Sequence, residues 1–112
     1  MEKRRFPRTS CQIPARWQNL AGGPAEPVPT LVRDISEGGI RFRSNAFLAV
    51  QSRLRFKLEF PGGRPIEAPV EPVWVREIPA VGQFEVGARF LTLSEPERAA
   101  IRDFVSASSL SR

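Results

Sequence analysis

From Arg53 to Phe60 the chain reads Arg-Leu-Arg-Phe-Lys-Leu-Glu-Phe, apolar and charged residues in strict alternation. A period of two puts Leu54, Phe56, Leu58 and Phe60 on one side of an extended backbone, with Arg53, Arg55, Lys57 and Glu59 on the other. A helix would scatter the same residues around its circumference. The segment therefore predicts a half-buried strand, and its apolar side needs a sheet or barrel to cover it.

Other stretches supply the partners. Gln12 to Gln18 is a short strand with Ile13, Ala15 and Trp17 on one face, and Pro14 marks an edge or a beginning. Asn19 to Pro29, rich in glycine and proline, is a loop. Val28 to Ile35 and Ile40 to Ser44 are strands on either side of a polar turn. Ser44 to Gln51 connects, anchored by Phe47, Leu48 and Val50. After a hairpin turn at Pro61-Gly62-Gly63-Arg64, Ile66 to Arg76 returns; Pro69 and Pro72 predict that it is bent or bulged and lies partly at an edge. Ile78 to Gln83 turns again. Phe84 to Phe90 is the last strand, with Phe84, Val86, Ala88 and Phe90 on one face, and Gly87 marks a bulge or a close approach.

The end of the chain is helical. Ser94 with Glu97 forms the capping-box pattern, and Ala100, Ile101, Phe104 and Val105 recur at helical spacing. The helix frays beyond Ser106 in this reading. Short antiparallel strands closed by one amphipathic helix predict a mostly β domain, a small barrel with a helical plug or lid. The eight phenylalanines are read as core. The chain divides into a basic N-terminal arm (1–9), a barrel with its helix (10–106) and a frayed tail (107–112).

Charge narrows the function. The chain of 112 residues carries a net charge of +5 with a pI of 10.9, so its favoured partner is an anion. Lys3, Arg4, Arg5 and Arg8 gather at the start, and the remainder is nearly balanced. There is no histidine and one cysteine, Cys11, which excludes Ser/His and Cys/His nucleophile pairs, His-based zinc sites and an internal disulfide. No pair of carboxylates has the spacing of an acid and a base, so the chain is read as a binding protein and not an enzyme. No apolar run reaches the ~18 residues of a membrane span, and no signal peptide pattern opens the chain. A cytoplasmic protein without membrane insertion is expected.

The segment Arg33-Asp34-Ile35-Ser36-Glu37-Gly38-Gly39-Ile40 is the remaining feature. Side-chain oxygens of Asp34 and Ser36 can accept from the backbone N–H groups that follow. Gly38 and Gly39 can take positive φ and let a partner approach the backbone. By itself such a turn reads first as a plain hairpin connection, with one rim of a ligand site as the alternative.

Taken together, Arg4-x-x-x-Arg8 and Asp34-x-Ser36-x-x-Gly39 resemble the paired signature of PilZ domains. The resemblance extends through Val73-Trp74-Val75, Val86-Gly87-Ala88-Arg89-Phe90 and the helix opening at Ser94-Glu95-Pro96-Glu97, from Lys3 to about Val105. It implies a six-stranded antiparallel split barrel with one C-terminal helix. It also implies a stand-alone receptor for the bacterial second messenger cyclic di-GMP, which passes the signal to an unidentified downstream protein as its arginine arm wraps over the ligand. On that basis Arg4 and Arg8 are the motif arginines, Arg5 lies between them and Lys3 just precedes them. Asp34, Ser36, Gly38 and Gly39 form the second motif, and Trp74 and Gly87 come near a guanine. Glu37 and Arg41 sit at variable positions and receive no role. No cofactor or metal is implied, and a monomer is the default without ligand. Two alternatives remain: a PilZ-fold protein–protein adaptor that ignores the ligand, and a basic barrel for single-stranded nucleic acid, which the inward phenylalanines argue against.

Overall fold

The computed structural model describes residues 6–20 and 26–110. Six strands, β1 (Arg8–Asn19), β2 (Val28–Ser36), β3 (Gly39–Ser44), β4 (Leu54–Leu58), β5 (Ile66–Ile78) and β6 (Gln83–Phe90), precede one helix, α1 (Glu95–Leu110). The strands close into an antiparallel barrel in the order β1-β2-β3-β6-β5-β4.

The alternation in β4 does what its period requires. Leu54, Phe56 and Leu58 have no exposed surface, while Arg55 and Lys57 face outward. Phe56 meets Phe42 edge to face, with ring centroids 4.7 Å apart, and Ile13, Val32, Val70 and Val86 complete the interior. Burying each such side chain stabilises the fold by roughly 1.5–3 kcal/mol.

Several expectations need correction. β1 begins at Arg8, so the last two residues of the segment assigned to the arm are strand. α1 continues to Leu110, beyond the point where fraying was expected. Closure leaves β5 no outer edge. β5 overhangs β4, however, and Pro72 falls past the last β4–β5 pair, Leu54 with Val70, where its missing donor breaks no ladder with β4. The expected bulge is present, between Pro72 and Trp74. Of the phenylalanines, Phe42 and Phe56 are fully buried, whereas Phe47 is exposed and leans on Phe84. In the β3–β4 connection only Leu48 is an anchor, since Val50 is exposed as well.

The capping box forms as read: Ser94 N donates to Glu97 Oε1 at 3.0 Å, and Glu97 N donates to Ser94 Oγ at 3.3 Å. Ile101 and Val105 are buried and Phe104 rests on Phe60 at 5.2 Å, but Ala100 is exposed because the barrel meets only a narrow stripe of α1. A second tie fixes the helix. Arg102 donates to both oxygens of Glu37, at 3.2 and 3.4 Å, and Arg98 lies 3.8 Å from the same carboxylate. Glu37 belongs to the β2–β3 turn, so α1 is fastened to that turn. No helix among the described residues is long and apolar enough to cross a membrane.

Candidate functional site

The site begins with a pairing across strands. Antiparallel β1 and β2 place Arg8 opposite Ser36 and Ser10 opposite Asp34, so the Arg8 side chain runs diagonally toward Asp34. Arg8 Nε lies 3.1 Å from both Asp34 oxygens, and Nη2 donates to Oδ2. This is a charge-assisted pair on a carboxylate that is buried, with the arginine more exposed than its partner. The two polar segments of the sequence are thus in contact through Arg8. Lys3, Arg4 and Arg5 lie outside the described residues.

In the β2–β3 turn Ser36 Oγ accepts from Gly38 N at 3.0 Å, the local bond its hydroxyl was expected to make. The Asp34 oxygens are instead taken by Arg8. The glycines also differ from expectation, since neither Gly38 nor Gly39 has positive φ. Their lack of a side chain is used for space. A Cβ on Gly39 would sit 2.2 Å from the Ala88 carbonyl oxygen of β6, and one on Gly38 would meet the Phe6 ring at 3.2 Å. The neighbours that approach so closely are parts of the chain itself.

The opposite wall comes from β5 and β6. The bulge between Pro72 and Trp74 shifts the register so that Trp74 stands opposite Gly87. A Cβ on Gly87 would lie 2.1 Å from Trp74 Nε1, so the indole lies across a position that only glycine leaves open. Gly87 is therefore the seat of Trp74, and the bulge belongs to the neighbouring strand. Trp74 is 42% exposed and Val73 50%.

Between the walls is a cleft of about 400 Å³. Arg8, Asp34, Ser36, Gly38, Gly39, Trp74 and Gly87 all line it, so every site residue read from the sequence that falls among the described residues is brought to one place. The structure adds Phe6, Val73 and Arg41. Nothing local in the sequence marks Arg41 apart from its outward position on β3. Its Nη1 donates to Glu85 Oε2, its Nη2 lies 3.6 Å from Asp34 Oδ2, and Arg76 holds the other oxygen of Glu85. Burial pushes the Glu85 carboxyl up, but hydrogen bonds from Arg76 and Arg41 outweigh it and hold the group below the usual carboxylate range. Cys11, nearby on β1, is pushed up to about 11 by burial and by the charge of Asp34, so it remains a thiol at neutral pH and no nucleophile. The chemistry available is recognition: guanidinium donors, a carboxylate acceptor and an exposed indole face.

Residues 2–107 match the family model described as PilZ domain. Among solved structures, the chain is similar to the Bacillus subtilis inhibitor of motility MotI/DgrA, at 19% identity and a TM-score of 0.85, covering 100% of this chain and 54% of that one. It is similar to YcgR in complex with c-di-GMP from Escherichia coli, at 16% identity and a TM-score of 0.81, covering 99% of this chain and 48% of that one. The K. pneumonia MrkH–c-di-GMP complex is matched at 18% identity and a TM-score of 0.81, with 99% of this chain and 54% of that one covered. The chain spans about half the length of these relatives. No match is found among curated proteins. At these identities the solved structures bear on the fold, and the family model spans nearly the whole sequence: the chain belongs to the PilZ domain family.

Proposed function

We propose that this PilZ domain is a cyclic di-GMP receptor that reads its ligand through Arg4-x-x-x-Arg8 and Asp34-x-Ser36-x-x-Gly39 and signals to a partner protein. The observation that carries the reading is the Arg8–Asp34 pair at one end of a cleft that Ser36, Gly38, Gly39, Trp74 and Gly87 also line. Cyclic di-GMP presents two phosphates and two guanines. Arginine serves both, since its planar fork fits phosphate oxygens or the O6 and N7 acceptors of guanine. Asp34 engages Nε and Nη2 of Arg8, which leaves the Nη1 donors for the ligand. The Asp34 carboxylate accepts from guanine N–H groups as carboxylates accept from base amino groups. Ser36 holds the turn, the glycines keep the floor clear, and Trp74 offers a face for stacking.

The arm carrying Lys3, Arg4 and Arg5 supplies further cations and orders on the ligand, which turns binding into a change of shape that a downstream protein reads. Relatives of this fold were solved with c-di-GMP bound, YcgR and MrkH among them, which supports the choice of ligand. Isothermal titration of the purified protein with cyclic di-GMP tests the reading. Saturable heat that falls by roughly 5- to 150-fold in affinity in Arg8→Ala is expected. Silence at high micromolar ligand contradicts it.

A further inference from the structure

The cleft residues lie in a row across the barrel wall. Asp34 on β2 is opposite Arg41 on β3, Arg41 is opposite Gly87 on β6, and Gly87 is opposite Trp74 on β5. All of them line the same cleft. Adjacent strands are spaced about 4.8 Å apart, so the row from carboxylate to indole spans roughly 14 Å. Arg41 occupies the interior of that row, and Gly87 beside it contributes no side chain. A ligand that touches Asp34 at one end and Trp74 at the other has to pass over the Arg41 guanidinium.

Pairing of carboxylates alone does not explain an arginine there. Asp34 has Arg8 and Glu85 has Arg76, so Arg41 adds a third guanidinium to two carboxylates that already have cations. The cluster is left with surplus positive charge, and Arg41, with 31% of its side chain exposed, carries it at the middle of the cleft. Glu85, which does not line the cleft, grips Nη1 and fixes the plane of the fork. In a cyclic dinucleotide the bases project from the two ends of a sugar–phosphate ring. With a base at each end of the row, the ring and its phosphates lie over the centre.

We infer that Arg41 contacts a ligand phosphate directly, midway between the Asp34 corner and Trp74, and that Glu85 is the positioning residue that aims it. The inference rests on the receptor reading proposed above. A charge-assisted contact of this kind is lost in Arg41→Gln, with affinity for cyclic di-GMP falling roughly tenfold to a hundredfold. Glu85→Gln, outside the cleft lining, weakens binding severalfold in the wild-type background and not at all in the Arg41→Gln background. That non-additivity is what a merely structural role of Glu85 would not produce.

Isothermal titration of the four proteins, with thermal melts alongside, makes the test. Wild-type affinity in a folded Arg41→Gln protein overturns the inference and leaves the receptor reading standing, as does a Glu85→Gln loss that persists without Arg41. Should Arg41→Gln not fold, Arg41→Lys decides. Its compact ammonium lacks the planar fork that holds Glu85 and a phosphate on separate nitrogens, so severalfold weaker binding is expected and wild-type affinity overturns the inference. Failure of the wild type to bind at all sinks the receptor reading, and this inference with it.

Discussion

The two walls of the cleft are built on opposite plans. On the β1–β2 side an arginine and a buried aspartate are locked together, with a hydroxyl and two glycines completing the turn. On the β5–β6 side there is an exposed indole, an exposed valine and a glycine that gives the indole its seat. On the receptor reading proposed above, the charged wall would recognise by direction, because a guanidinium–carboxylate fork accepts only matching donors and acceptors. On the same reading the apolar wall would recognise by area, since any flat base can stack on tryptophan. Selectivity for guanine is therefore expected from the first wall, and a general gain in affinity from the second.

Substitutions can break this division. The largest effect is expected for Arg8→Ala. It removes the proposed ligand donor and leaves the buried Asp34, among the described residues, with only the more distant Arg41, so affinity is expected to fall by roughly 1–3 kcal/mol and stability by a similar ~1–3 kcal/mol. Titration and a thermal melt measure the two losses separately. On the other wall, Trp74→Ala is expected to weaken binding by about 1–3 kcal/mol with a smaller change in melting than Arg8→Ala, because the residue is 42% exposed and leaves no buried charge behind. Gly87→Ala reaches the same end from beneath, as its methyl group displaces the ring from its seat. The double variant is expected to bind no more weakly than Trp74→Ala, and additive losses would show that Gly87 serves the ligand directly.

Smaller effects concern the support of the cleft. Glu85 is held below the usual carboxylate range in the folded protein, so its contribution to stability is present above that range. It is lost as the pH falls through its folded-state value. Acid melts of the wild type and Glu85→Gln are accordingly expected to converge at low pH and to separate near neutrality. The smallest change is expected for Glu37→Ala, which cuts the tie between the turn and α1. Its partners are partly solvent-exposed arginines, so the melting shift should correspond to no more than ~1 kcal/mol.

The charged wall was legible in the sequence because each of its two motifs is local. Arg8, Asp34 and Ser36 are polar residues at motif spacing, and pairing of the first strand with the second is enough to join them. The apolar wall was less so: Pro72 signals a bulge in this strand, but which residue it seats opposite Gly87 depends on the register with β6. For Gly38 and Gly39 the sequence offers both positive φ and close approach, and it does not separate one use from the other. Positive φ is found at Gly62 and Gly82, at open turn tips, while Gly39 and Gly87 are pressed by neighbours. Arg41 was passed over because its importance lies in what stands beside it across three strands. The strand periods gave the core, yet Ala100 and Phe47 show that an apolar residue in phase still needs a surface opposite it.

The tryptophans offer the most direct test of where the ligand sits. The chain has two: Trp74 in the cleft, and Trp17 with its indole nitrogen buried and without a hydrogen-bond partner. Nitrogen–proton correlation spectra recorded during a titration with cyclic di-GMP report both indole N–H groups at once. The Trp74 signal should move together with the amides of Ser36, Gly38 and Gly39, while that of Trp17 stays in place. Movement of Trp17 with Trp74 unchanged, or no movement of either at saturating ligand, would contradict a receptor site in this cleft.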